Sequence, residues 1–218
     1  MRTTWHRFLA PLTPGVRVLL CVLTICYLVA IAGFYSHSYD LYPSLGLAGP
    51  LFWHGKLWTI LTYGLLPATL LDFLFNWVMI LVFGSWLERV WSRWQLWLYC
   101  GACAFGAGVV KVLVQPSTPA LMVGTAPVVF GLLAAWGMLF AGERVLFWFL
   151  WEMPIRQAAI VMAVITFVAM LPCAGPVVAG IMLSGGVAGL IFLALQSRLL
   201  HSRVSRNVVS ERMERLEL

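Results

Sequence analysis

The stretch MVGTAPVVFGLLAAW, Met122–Trp136, decides how the chain is read. It opens on Gly124, followed by Thr125, a residue type that favours a helix N-cap. Pro127 comes next but one and suits a first helical turn, where a missing N–H is tolerated. From there the stretch carries no charge and continues as a helix apolar enough for a membrane. The spacing predicts a helix beginning at Ala126.

The rest of the chain has the same character. Its 218 residues have a mean hydropathy of +0.93, with 62% hydrophobic and only 10% charged residues. Ordinary soluble domains carry roughly 25% charged residues. The apolar residues fall in long runs, and about 20 of them in a helix cross the hydrocarbon core. The composition predicts an all-α integral membrane protein and excludes an ordinary soluble domain. A net charge of +6 is compatible with nucleic-acid binding in principle. Here the charges sit between the apolar runs, as membrane orientation requires, so no nucleic-acid partner is expected.

Six spans are predicted, at about Val16–Phe34, Thr69–Leu87, Leu96–Val114, Ala126–Ala141, Ile155–Leu171 and Pro176–Gln196. The fourth is short for a full crossing. Residues 1–15 form an N-terminal segment, 16–196 the membrane domain and 197–218 a tail. The N-terminal run exceeds the roughly 7–15 residues of a signal-peptide core, so a retained first span is expected. With the N-terminus placed inside, all of the 14 Lys and Arg except Lys56 and Lys111 fall on the inner side. That bias predicts both termini in the cytoplasm.

The first outer loop, Tyr35–Ala68, is long and apolar, with Trp53, Trp58 and Tyr63 among aliphatic residues. It reads as an element lying in the membrane interface. Val145–Pro154 reads as an inner interfacial belt, and the tail as a surface helix with a Glu211–Arg215 pair. Cys100 and Cys103 form a C-x-x-C with no accompanying histidine. Together with Cys21, Cys26 and Cys173 they read as inert apolar thiols, so no metal and no cofactor are expected. In the sixth span, Gly180, Ser184 and Ala188 recur every four residues, and Gly185 and Gly189 make a second pair. Such small faces let helices approach closely in lipid. The fourth span, with Gly131, Ala134 and Ala135, is the expected partner.

Four segments together resemble the rhomboid family of intramembrane serine proteases. GKLWTILTYGLL, Gly55–Leu66, is similar to the family's first-loop motif. DFLFNWVMILVFGSWLE, Asp72–Glu88, is similar to its second span, and GTAPVVFGLLAA, Gly124–Ala135, to its active-site helix. SGGVAG, Ser184–Gly189, is similar to its sixth span. The resemblance covers roughly Val16–Gln196 and implies a six-span rhomboid-like bundle. It also implies a serine in the fourth span, a histidine base in the sixth, and a second-span His and Asn that help to hold the oxyanion.

The departures from that pattern concern catalysis. The nucleophile position is Ala126, followed by Pro127 in place of glycine, and the base position is Ser184. Asp72 stands where the second-span histidine belongs, while Asn76 is kept. In the first loop, Thr59 follows Trp58 where arginine is usual, and Pro67 stands where histidine is common. Nucleophilic catalysis needs a nucleophile with a base in hydrogen-bond reach. A carboxylate beside an oxyanion would also reverse the electrostatic help that an oxyanion hole gives. His6, His37, His54 and His201 all lie outside the spans. Only His54, with Thr125 or Ser184 as nucleophile, could form a rearranged dyad.

The remaining polar residues each allow a plain structural role. Asp72 is expected near the outer interface and hydrated, or else in contact with a client or Lys111. Asn76, one turn later, bonds Asp72 or a neighbouring helix. Lys111 is expected to snorkel to the interface. Trp58 reads as an interfacial anchor, with client recognition as the alternative. Glu88 marks the end of the second span or bonds within the loop that follows it.

The resemblance therefore implies a rhomboid-like pseudoprotease that binds or chaperones transmembrane segments of other proteins. Asp72, Asn76, Thr125, Ala126, Ser184 and Trp58 are the client-binding candidates. Gly131, Gly180, Gly185 and Gly189 are the helix-packing candidates. The alternative is an intramembrane serine-type endopeptidase with a displaced dyad. A small-solute transporter is disfavoured, because no paired broken spans occur in matching halves.

Overall fold

A computed structural model describes residues 13–36, 41–147 and 151–214. The N-terminal segment with Arg2, His6 and Arg7, residue His37, and the pairing of Glu211 with Arg215 lie outside the described residues. Helix α1 is Pro14–Ser36. The first loop carries three short helices, α2 (Tyr42–Leu45), α3 (Gly49–Trp53) and α4 (Thr59–Thr62), and ends in a 3-10 turn, Tyr63–Leu65. The second span begins as α5 (Leu70–Met79), passes through a π-helical turn at Ile80–Gly84, and ends as α6 (Ser85–Glu88). Helices α7 (Arg93–Val114) and α8 (Ala126–Leu139) follow. Strands β1 (Arg144–Phe147) and β2 (Trp151–Pro154) precede α9, Ile155–Glu214.

Helix α9 is two spans joined at a kink. Gly175 has a φ of 76°, a conformation open to glycine at little cost, and it separates the apolar stretches Ile155–Leu171 and Gly175–Arg198. Among the described residues, four stretches are long and apolar enough to cross a membrane: Pro14–Gly33, Leu70–Glu88, Arg93–Val114 and Gly175–Arg198. Ala126–Leu139 and Ile155–Leu171 are shorter apolar helices.

The shortness of α8 has a structural reason. At about 1.5 Å per residue it is roughly 21 Å long, against a hydrocarbon core of about 30 Å. Of its 14 residues, 11 are buried, the state expected of a helix that is apolar on every face. It is the central post of the bundle, with the second, third and last two spans packed against it. The main core gathers Ile80, Leu87, Leu96, Tyr99, Val129, Leu132 and Leu133. A second core under the first loop contains Leu47, Tyr63, Met122, Ala126, Phe130 and Met182.

Small residues set how closely the helices meet. A Cβ on Gly185 would stand 2.5 Å from the Pro127 carbonyl oxygen, and one on Gly186 would stand 3.4 Å from that of Phe130. The sixth span therefore crosses α8 backbone against side-chain-free backbone. It also meets α7, where Ala188 fills the space beside Gly106 and Tyr99 occupies the space beside Gly189. Gly131 faces Cys103 and Tyr99 of α7 rather than the sixth span, and Tyr99 donates a hydrogen bond to the Gly131 carbonyl at 2.6 Å. Gly180 faces open space, which corrects its assignment to helix packing: the close-packed stripe runs through Gly185, Gly186 and Gly189.

At the end opposite the first loop, Glu88 holds α1. Its carboxylate accepts from the Gly15 and Val16 backbone N–H groups, both at 2.7 Å, and from the Thr13 hydroxyl. The first turn of a helix leaves such donors unpaired, and a carboxylate there is also favoured by the helix dipole. Trp97 adds a bond from its indole to the Gly15 carbonyl at 3.2 Å. Glu88 thus bonds to the first span, not within the loop that follows the second. The segment read as an inner belt is an antiparallel hairpin, pairing Arg144 with Pro154 and Phe147 with Trp151, so its backbone groups find partners in each other.

Replacing Gly185 by alanine should cost about 1–3 kcal/mol through overpacking, whereas Gly180→Ala should be neutral. Thermal unfolding in detergent separates the two. Glu88→Ala strips three donors of a charged acceptor and should cost at least about 2 kcal/mol. The same measurement reads it as a lowered Tm.

Candidate functional site

The candidate site lies where the first loop, α5, the start of α8 and the sixth span converge. The loop is folded onto the bundle. Leu47 and Met122 exchange backbone hydrogen bonds of 3.0 and 2.7 Å. Tyr63 points inward, is fully buried, and donates to the Ala104 carbonyl of α7 at 2.8 Å. Burial pushes its hydroxyl far above the usual tyrosine range, so it remains a donor. The Ile60 carbonyl of α4 sits so close to Gly108 of α7 that a Cβ there would stand 2.7 Å away.

Gly124 is the pivot of the site. Its φ of 121° is outside the range of ordinary side chains. Its N–H donates to the Tyr63 carbonyl at 3.3 Å. A Cβ there would meet Asp72 Oδ2 at 3.6 Å and Met182 Cε at 3.7 Å. The second span, the α8 entrance and the sixth span therefore surround one glycine.

Thr125 occupies the N-cap position, but its side chain makes no cap bond. Its hydroxyl instead donates to the Gly64 carbonyl at 2.9 Å. The expected cap is corrected: Thr125 ties the loop to α8. The partner lies 61 residues away in sequence, so no local pattern could have announced it. Ala126 follows, buried at 1% exposure. Ser184 lies on the sixth span next to Gly185, which touches Pro127, and its hydroxyl donates to the Ile181 carbonyl of its own helix.

Asp72 sits in the first turn of α5. Thr69 caps that helix by accepting from the Asp72 N–H at 3.1 Å. The Asp72 carboxylate in turn accepts from the Ala68 N–H, 3.1 Å to Oδ2, and from Asn76 Nδ2, 2.7 Å to Oδ1. The Thr69-x-x-Asp72 spacing is a readable capping signature, and it accounts for an acidic residue at this position. Asp72 is half-buried rather than freely hydrated. Asn76 is 3% exposed, and its Oδ1 is buried without a hydrogen-bond partner among the described residues.

Asp72 and Lys111 do not pair. Lys111 is fully buried and its ammonium bonds to Gln115, which corrects the expectation that it snorkels outward. The first loop covers this end of α7, with Gly49 packed against the Gln115 and Pro116 carbonyls. Trp58 stands apart from the polar pair. It is 54% exposed and its indole donates to the Ser44 carbonyl at 3.1 Å within the loop. His54, also in the loop, is exposed.

The frame around Gly124 is the one that the four sequence motifs share. The Rhomboid domain family model matches residues 54–203. The chain belongs to the rhomboid family. No curated protein sequence matches it. The matched region of this rhomboid runs from within the first loop through the sixth span and contains Trp58, Asp72, Asn76, Thr125, Ala126 and Ser184. With four long apolar helices and two shorter ones among the described residues, the protein is an all-α, multi-pass rhomboid of the membrane. Among the described residues, no three His, Cys, Asp or Glu side chains are grouped to hold a metal ion.

Thr125→Val removes the donor and leaves a buried Gly64 carbonyl unpaired, a change worth about 1–3 kcal/mol. Its effect should be local. Hydrogen exchange should accelerate over Gly64–Leu66 and at Gly124, while amides in the middle of α7 keep their protection.

Proposed function

We propose that this rhomboid binds transmembrane segments of other membrane proteins without cleaving them. The observation that carries the reading is Ala126. The side chain at the family's nucleophile position has no oxygen and is buried against its neighbours. The nearby hydroxyls are otherwise engaged. Thr125 donates to Gly64 and Ser184 to Ile181, each to a backbone carbonyl rather than to a base. His54, the only histidine in the first loop whose side chain is described, is exposed on that loop.

Binding has physical support of its own. Asp72 is half-buried, and α5 turns Leu71, Leu74 and Val78 outward. Polar side chains therefore stand beside an apolar flank that lipid or another helix can cover. A segment carrying polar or helix-breaking residues finds hydrogen bonds here that lipid does not provide. The short link at Gly175 between the last two spans leaves little chain to fold over the site. The arginine bias orients the protein with both termini in the cytoplasm and the site toward the opposite face.

A transmembrane reporter incubated with the purified protein should remain uncleaved, and a serine-reactive fluorophosphonate should not label it. Labelling that vanishes in Ser184→Ala or Thr125→Ala would instead establish a rearranged peptidase. Restoring Ala126→Ser together with Ser184→His should recover little activity, since Pro127 and Asp72 remain in place.

A further inference from the structure

Lys111 lies on the face of α7 that the first loop covers. About one turn before it, the Ile60 carbonyl of α4 closes on Gly108. About one turn after it, Gly49 of α3 packs against the Gln115 and Pro116 carbonyls. Leu47, Phe52 and Tyr63 of the loop share a core with Ala107 and Val112 of α7. Lys111, set among these contacts, is fully buried.

That burial leaves a charge poorly matched. An ammonium carries three donors and no acceptor. Among the described residues, Lys111 bonds to one neutral group, the Gln115 amide oxygen. The bond is made within one helix end, four residues on, and does nothing to hold the loop. A charge withdrawn from water is costly unless it is paired and well bonded. The cost applies only while the loop is down. A raised loop lets water reach the ammonium without breaking its bond to Gln115.

The loop is the side able to give. Its three helices are only four or five residues long, too short to hold their shape alone. Trp53, Leu57, Trp58 and Leu61 are exposed on it, so the described residues do not pin it from that side. Its Leu47 and Tyr63 share one core with Met122 and Ala126, and lifting it opens that core at the α8 entrance.

We infer that the first loop is a lid over α7, and that the buried Lys111 is the built-in element that favours its opening. This goes beyond the binding role proposed above and does not depend on it.

The test compares the full chain in detergent with Lys111→Met, which keeps an unbranched apolar stem and removes the charge. Hydrogen exchange is read at Leu47 and Met122, whose N–H groups bond each other's carbonyls at 3.0 and 2.7 Å and are freed when the loop lifts. Both should exchange about ten-fold more slowly in the variant, since apolar replacement of a poorly paired buried charge is stabilising. Amides in the middle of α7 should keep their rates. Unchanged or faster exchange at Leu47 and Met122 would overturn the lid. So would equal slowing throughout the bundle, which marks a general gain in stability. Acetylation by an amine-reactive ester, read by mass spectrometry, needs no substitution. Lys56 and Lys111 are the only lysines. Lys56, on the loop itself and partly exposed, should react first, and Lys111 should follow while the chain is still folded. A Lys111 that reacts only once α7 unfolds would also overturn the lid.

Discussion

The bundle depends on one backbone contact, the crossing of the sixth span over the α8 entrance at Gly185 and Pro127. Within lipid there is no hydrophobic drive to bring helices together, so contact distance decides association. A side chain at Gly185 would meet the Pro127 carbonyl. The same span then lies against Phe130 at Gly186 and against Tyr99 of α7 at Gly189. Tyr99 closes the arrangement by bonding the Gly131 carbonyl of α8. Three helices are thus locked at side-chain-free points, and α8 can be short because protein, not lipid, surrounds it.

Polar connections finish the two ends of this apolar core. At one end the first loop is fastened to the segment that leads into α8 through Leu47, Tyr63 and Gly64, and to α7 through Tyr63. At the other, Glu88 gathers the free N–H groups of α1. Both serve the rule that backbone groups withdrawn from water need partners inside the protein. The Asp72–Asn76 pair differs from these because its bonding is incomplete. Its Asn76 oxygen is enclosed within the protein, and Asp72 lies beside Gly124, where α5 meets the α8 entrance and the sixth span.

The sequence was informative wherever one short stretch carried the physics. Ala126 begins α8 as its Thr-Ala-Pro start indicates, and span ends fall within a few residues of those expected because apolar runs end where charges begin. The Asp72–Asn76 bond follows from their i, i+4 spacing. Features that need a distant partner were not legible. Thr125 chooses a carbonyl from the first loop over its own helix, Lys111 is buried by that loop, and Glu88 reaches back to α1. Gly180 belongs to the four-residue pattern of small residues yet faces outward, because a small-residue pattern marks a possible face and only the crossing point selects the one used. The caps at Thr69-x-x-Asp72 and Ser92-x-x-Gln95 formed no part of the sequence reading, although each is a local pattern whose partners lie three residues apart.

The π-helical turn at Ile80–Gly84 has a consequence for how the second span can serve both ends at once. Asn76 and Glu88 are twelve positions apart. At about 100° per residue, an uninterrupted α-helix would set them roughly 120° apart around its axis. A π turn takes up about one additional residue, which reduces the separation to about 20°. Amide and carboxylate then share one azimuth, so a single helix can offer Asn76 to the pocket at one membrane face and Glu88 to the first span at the other. Removing one residue from this turn would rotate one end against the other, and the protein could keep its pocket or its anchor in register but not both.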